Sequence, residues 1–538
     1  MTRPLLTVLC VLLLVTVSEM KVQAQVAEQD SLALVALYNA TDGPNWTDNT
    51  NWLTAQVSAW SGVTVTDDRV TSLILDDNQL IGSFPPEIGN LVNLTHLDLS
   101  RNNLWGEIPS ELVNLVNLAH LDLSRNILQG EIPPELGNLV NLTILRLDNI
   151  LTGAIPPELG KLTHLTELDL SSNDLTGSIP PELGKLTKLT VLNLRANDLT
   201  GAIPSELGNL ANLTELRLQI NELTGTIPPE IGNLTKLRYL SLAINHYTGA
   251  IPPEIGNLAT LTNLRLNVNE LTGAIPPEIG NLATLTILRL GDNQLTAIPP
   301  EISNLAKLNI LWLSTNQFTG TIPPEIGNLT KLTNLDLRNN QFTGTIPPEL
   351  GNLANLTFLE LRNNQLTGAI PQEIGDLANL RALLLSSNPL SGTLPLSLTK
   401  LSMLHIFRFD NTDLCEPPDP SFQAWLRRIS SLSRTGVPCI ATATEEPGEL
   451  PTGFSLEANY PNPFNPSTII RYTLPTRARV RLAVYDGLGR LIDVLVETNQ
   501  PAGWHEVTFE SGVLPSGVYF YRLEAGAFLD GRPMLLLR

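Results

Sequence analysis

The sequence predicts an α/β repeat solenoid followed by a small all-β sandwich. Three observations carry that expectation. One phrase recurs with a period of about 24 residues from Val70 to Leu414, the signature of stacked repeats. Each copy joins a strand-like L-x-L to a short helical turn. From Phe454 the phrase stops and alternating apolar runs separated by turn residues take its place.

At 538 residues the chain exceeds what one compact core organises. Its formal net charge of −20 argues against nucleic acid or an anionic membrane surface as partner. Charged residues make up only 16% and hydrophobic ones 42%, which excludes a disordered acidic tail. The acid is concentrated in the repeats; from Phe454 onward eight Asp and Glu face eight Arg and no Lys.

Residues 1–24 read as a secretory signal: Arg3 leads, "LLTVLCVLLLVTV" is the apolar core and "VQA" precedes a cleavage site at Gln25. The apolar run is shorter than the roughly 18 residues that span a bilayer, and no later segment approaches that length. Cys10 is apolar filler within it. Residues 25–69 read as an N-terminal helical cap, a helix within "DSLALVALYNATDGPNWTDNTNWL" leading into a Trp-bearing loop and "WSGVTV".

Residues 70–414 hold about 14 or 15 turns of the template L-x-x-L-x-L-x-x-N-x-L-x-G-x-I-P-x-E-[IL]-G-x-L-x-x. The L-x-L stretch alternates as a strand buried on one face does. An Asn column running from Asn102 to Asn364 places one amide per turn where the chain bends, able to bond backbone groups that strand pairing leaves open. Gly supplies the bend and "IPPE" starts a short helical turn at Pro. Two turns depart from the template: a residue is missing before Asn149, and "NQLTAIPPE" lacks the glycine. Either duplication slipped harmlessly there, or a local kink shapes a ligand niche.

Residues 415–440 read as one amphipathic cap helix between Cys415 and Cys439. After the signal these are the two remaining cysteines, and an even pair in an exported chain suggests a disulfide, with a two-ligand metal site as the alternative. "ATATEEPGELPTG" at 441–453 is a Pro-, Thr- and Glu-rich linker.

The repeat closely resembles the plant-type leucine-rich repeat with its L-x-G-x-I-P signature, over some two-thirds of the chain. The resemblance implies a curved right-handed solenoid with a parallel sheet on its concave face and short helical turns on the convex face. It extends to the N-terminal cap, which lacks the cysteine pair common in the plant versions. At 454–538, "NYPNPFNPSTIIRYTLP", "VRLAVYDGLGR", "LPSGVYFYRLEAG" and "MLLLR" together resemble the C-terminal sorting domain of the bacterial type IX secretion system. That resemblance implies passage through the outer membrane by the secretion machinery, and a protein released or held at the bacterial cell surface.

No H-E-x-x-H, G-x-S-x-G, P-loop or dinucleotide fingerprint occurs, so no catalytic residue and no cofactor is assigned. His96 and His120, with Asp98 and Asp122, fall at equivalent positions of successive turns; duplication explains them without a metal, and none is assigned. The Glu of each "PPE" is a solvated face, and the recurring NLT sequons belong to the template. A binding face is the better prospect. The residue inside each L-x-L points away from the buried leucines, and down the stack these residues turn basic in the middle: Arg217, Arg265 and Arg289, then Trp312, with Tyr239 and Phe358 beside them. Exposed Arg with aromatics anchors interfaces; the bland alternative is a solvated face whose arginines offset neighbouring acids. The expectation is therefore an exported surface protein that recognises an extracellular protein or polysaccharide, with a structural surface layer and a hydrolase as alternatives.

Overall fold

The structure is a computed structural model that describes residues 26–439, 453–512 and 514–537. The expected signal at 1–24 and the linker at 441–453, Gly453 apart, lie outside the described residues. The chain forms two compact units, divided at Cys439/Ile440.

The first unit opens with helix Glu28–Ala40, which buries Ala33, Leu34 and Leu37. Asp30 is fully buried and accepts from both Arg69 nitrogens at 2.8 and 3.0 Å and from the Val70 N–H at 2.8 Å. One carboxylate therefore ties the cap to the first repeat strand, and its charge is satisfied where solvent cannot reach it. Tyr38, Trp46, Trp52 and Trp60 stack beside it with centroids 4.7–5.7 Å apart. Their indole N–H groups donate to the carbonyls of Thr41, Ser61 and Ala55 in turn. This aromatic stack fills the end of the core without a cysteine pair.

Seventeen strands form one sheet. The antiparallel strand Val63–Thr66 comes first, and every later strand is parallel and in chain order from Arg69–Ile74 to Ser431–Ser433. Leucine pairs with leucine from turn to turn, as Leu216 does with Leu240 and Leu264. Both leucines of each L-x-L are buried, so the residue between them faces outward. Five-residue 3-10 turns such as Pro229–Asn233 form the opposite side. There a Cβ on Gly232 would sit 2.5 Å from the Glu254 carbonyl oxygen, so adjacent turns touch only because that position carries no side chain.

The Asn column forms a buried ladder. Asn221 donates to the carbonyls of Leu194 and Leu218 at 3.0 and 3.1 Å and accepts from the Leu199 N–H at 3.1 Å, spanning two turns with one amide. Most turns place a left-handed residue immediately before this Asn, with φ of 50–61°.

The two irregular turns are absorbed on one side only. Asp148 is not left-handed, yet Asn149 still donates to Leu123 and accepts from Leu128. At "LTAIP" the register slips between Gly273 and Ala274, and Ile298 is partly exposed where Ile275 and Ile322 are buried. The main sheet runs through both places without a break, Ile144 pairing Glu167 and Ile287 pairing Ile310. A second, flanking sheet is thinner: between Ile127–Gln129 and Thr176–Ser178 it narrows to the single bridges Glu131–Thr152 and Ala154–Thr176, a six-stranded piece then runs to Gln294–Ala297, and shorter pairs follow.

The expectation of one cap helix between the cysteines is corrected. The helix is short, Pro420–Leu426, with Asp419 accepting from the Phe422 N–H as its cap. The chain then extends as strand Ser431–Ser433 and adds to the main sheet beside Ile406–Arg408. An open sheet edge offers unpaired backbone groups, and this strand satisfies them better than helix would. Cys415 and Cys439 are bonded, closing the cap on itself.

The second unit is all-β. A three-stranded and a four-stranded antiparallel sheet enclose Ile470, Tyr472, Leu482, Val484, Tyr521 and Leu523. The Asn-Pro-rich opening stretch folds back onto this core: the Tyr521 hydroxyl accepts from the Asn459 N–H and donates to the Glu457 carbonyl, at 2.8 and 2.6 Å. Phe464 bonds the last strand through Leu535 and Leu537.

Candidate ligand-binding face

The outward row on the main sheet is paired differently along its length. Toward the N-terminal end Arg146 is bidentate to Glu167 at 2.7 and 2.9 Å and also donates to Asp122 at 3.1 Å. Toward the other end Arg362 grips the buried Glu360 at 2.7–3.1 Å, and Arg338 lies 3.5 Å from Asp336. These arginines have their counter-ions within the fold.

The middle differs. Arg217 is held by Glu215 at 2.6 Å, but neither Arg265 nor Arg289 has a carboxylate partner among the described residues. Arg265 donates through Nε to the Asn263 side chain at 3.1 Å. Arg217 and Arg265 cover the Tyr239 ring from its two neighbouring turns, at 4.9 and 5.5 Å from its centroid. Arg289 lies over the Trp312 ring at 3.8 Å. Burial, and after it the charge of Arg265, lowers the Arg289 pKa from its ordinary value. Its Nε, the Trp312 indole nitrogen and the Gln219 side-chain oxygen are buried without a hydrogen-bond partner among the described residues. Buried polar atoms of folded proteins are nearly always paired, so three orphans on one face are a local anomaly.

Five of the six residues singled out in the sequence thus lie on adjoining turns. Phe358 stands apart, on the far side of a hollow of about 340 Å³ that it lines with Trp312, Gly291, Ser314, Asn334 and Asp336. Burial raises the Asp336 carboxyl to about 6, with Arg338 opposing the shift. A second hollow of about 360 Å³, lined by Asp98, Asp122, Arg146, Asp148, Glu167 and Asp169 among others, is strongly acidic. Each hollow borders one of the shortened turns. His96 and His120 stack at 5.9 Å, but only His120 brings a ring nitrogen within 4.8 Å of the Asp98 and Asp122 carboxylates. His96 turns its Nδ1 to the Thr95 hydroxyl instead. Arg146 already serves as the cation on Asp122.

One group was not singled out from the sequence. Ile220, Ile244 and Val268 occupy the left-handed position before the Asn column on three successive turns, with φ of 61, 57 and 59°. They are exposed by 37, 44 and 40%. The signal was present as "QIN", "AIN" and "NVN", where other turns read "SRN", "RNN" or "SSN".

The family profiles described as leucine-rich repeat region and leucine rich repeat match residues 132–251 and 219–346, and residues 68–128 and 330–390. That described as secretion system C-terminal sorting domain matches 458–528. No curated protein sequence matches the chain. Among solved structures the chain is similar to a TDR receptor, with 32% identity over 67% of this chain and 66% of that one, TM-score 0.59. That share is just under two-thirds of the receptor's length. It is also similar to the plant peptide hormone receptor RGFR1 in complex with RGF2, with 33% identity over 69% and 70%, TM-score 0.57. A leucine-rich-repeat protein of Leptospira interrogans aligns with 41% identity over 58% and 77%, TM-score 0.50.

Proposed function

This chain belongs to the leucine-rich-repeat family and ends in a type IX sorting domain, and from that premise we propose that it recognises an acidic extracellular ligand on the middle of its main sheet. The sorting domain directs it to the cell surface or beyond. No helix among the described residues is long and apolar enough to cross a membrane.

The observation that carries the reading is the pair Arg265 and Arg289, uncompensated in a chain of net charge −20. Arg146 and Arg217 of the same row are held by acids, and hydrogen bonds to charged groups contribute about 1.5–3 kcal/mol when a partner is supplied. A ligand carboxylate would give the Arg265 and Arg289 guanidinium groups the counter-ion that the fold does not supply, although the Arg289 Nε itself is buried. Arg217 and Tyr239 hold the lower edge of the site, Trp312 supports Arg289 from behind, and Phe358 guards the adjoining hollow.

Of the two ligand classes expected from the sequence, a protein is favoured over a polysaccharide. Sugars dock on open aromatic faces, whereas guanidinium groups lie over the Tyr239 and Trp312 rings. The structure of a similar plant receptor in complex with its peptide hormone gives this class a precedent. An array of proteins and glycans probed with the purified full chain tests the reading, run beside a variant carrying R265A, R289A and W312A. Binding that the variant loses supports it. A ligand retained by the variant removes the site, and no ligand at all from a folded monomer shifts weight to a structural surface layer.

A further inference from the structure

The rim beside the arginines carries a feature that the fold alone does not call for. Across the array the left-handed position before the Asn column is filled mostly by polar residues, Asp77, Arg101, Ser172, Asp292, Asn339 and Asn363 among them, with Ala196 and Thr315 also present. Asn and Asp tolerate that conformation, while β-branched side chains crowd the backbone and are outliers there. Ile220, Ile244 and Val268 depart from this together, on three adjacent turns, and expose large apolar side chains between Ala196 on the preceding turn and Asp292 on the following one. The cost is doubled: backbone strain and unburied hydrocarbon in the same three residues.

Their place is specific. Val268 lies three residues beyond Arg265, which ends its strand, and Ile220 three beyond Arg217, which ends its own. Between them the turn of Ile244 carries the small, buried Ser241 and Ala243 next to the ridge, with Tyr239 beyond them under Arg217 and Arg265. The orphaned Gln219 oxygen belongs to the same rim, one residue before Ile220. Turns stack about 4.8 Å apart, so the ridge is roughly 10 Å long, the reach of about three residues of an extended chain.

We infer that Ile220, Ile244 and Val268 form an apolar rail that seats an extended peptide segment, whose acidic side chain meets Arg265 and Arg289. The inference rests on the proposed concave-face function and deepens it, naming the ligand as a peptide that joins a short hydrophobic run to a carboxylate within a few residues. Charge complementarity fixes the acidic end, because Arg265 and Arg289 lack a carboxylate partner among the described residues. The strained rail fixes the apolar end.

The test uses the full chain and a phage-displayed random peptide library. Selected peptides are expected to pair Asp or Glu with Leu, Ile, Val or Phe. A variant with I220N, I244N and V268N folds without strain, since Asn already holds this position at Asn339, Asn363 and Asn411. It is expected to keep or raise the melting temperature and to bind a selected peptide at least tenfold more weakly. Replacing the peptide's apolar residues by Ser should weaken binding to the wild-type chain by a similar factor and to the variant hardly at all. Undiminished binding by the folded variant overturns the rail. Failure of the wild-type chain to select any peptide, while it captures another ligand on the array, overturns the rail and leaves the broader function standing.

Discussion

The Arg289 guanidinium carbon lies 3.8 Å from the centre of the Trp312 ring, and its Nε is buried with no hydrogen-bond partner among the described residues. The contact gains about 0.5–2 kcal/mol as a cation–π pair, and the orphaned donor costs about 1–3 kcal/mol. The two nearly cancel, so Arg289 contributes little to the stability of the free protein. For R289M we expect an unfolding free energy within about 1 kcal/mol of wild type by urea titration. A loss beyond about 2 kcal/mol would make Arg289 a structural residue and remove the main support for the ligand site.

The Asn ladder behaves in the opposite way. N221A removes one of two donors from the carbonyls of Leu194 and Leu218, which keep Asn197 and Asn245, and strips the partner from the buried Leu199 N–H. With one buried donor orphaned, at about 1–3 kcal/mol, the variant should lose roughly 2 kcal/mol. Because each turn depends on its neighbours, hydrogen exchange should rise first in the turns on either side of Asn221.

Asp336 gives the protein a pH dependence of definite sign. Its folded pKa is raised to about 6 by burial, above the ordinary value of 3.8, so the ionised form is the penalised one. The destabilisation is fully present above pH about 6, shrinks as the pH falls through 6, and vanishes near 4. D336N should therefore stabilise the fold at pH 7.5 by on the order of 2–3 kcal/mol and leave it unchanged near pH 4. Equal melting shifts at both pH values would refute the assignment.

The Cys415–Cys439 bond closes a loop with a sequence separation of 24 residues. Chain-entropy reasoning gives about 3 kcal/mol for a loop of this size. Reduction should lower the melting temperature and expose the amides of Ser431–Ser433 to exchange, while the central turns stay protected. Uniform deprotection along the array would mean that the cap couples to the whole solenoid.

Much of this was legible in the sequence because periodicity is a direct image of burial. Each L-x-L fixes which two side chains go inward, and hence that Arg265, Arg289 and Trp312 go outward. The cap was misjudged because "FQAWLRRISSLS" carries apolar residues at helical spacing throughout, and only the open sheet edge turns Ser431–Ser433 into a strand. The pairing of the arginines was not legible, since Arg217 is neutralised by an acid two residues away and Arg265 by none. His96 and His120 look equivalent in sequence, but a one-residue contact with Thr95 separates them. The strained ridge was written in the sequence as Ile and Val before Asn; reading it required knowing that this position is left-handed, which pattern alone does not state.

The flanking hydrogen bonds cross the turn of Asn149 in a pair, Ile150 to Leu128 and Thr152 to Gly130, but the turn that lacks its glycine keeps Gln317 to Leu295 and gains no bridge beyond it among the described residues. Viewed as a one-dimensional lattice, the array has a thinner link between the turns of Asn293 and Asn316. Such a link divides a long cooperative chain into two blocks, which under tension are expected to part there before either melts within. Arg217, Arg265 and Arg289 then lie in one block and Trp312 at the edge of the other.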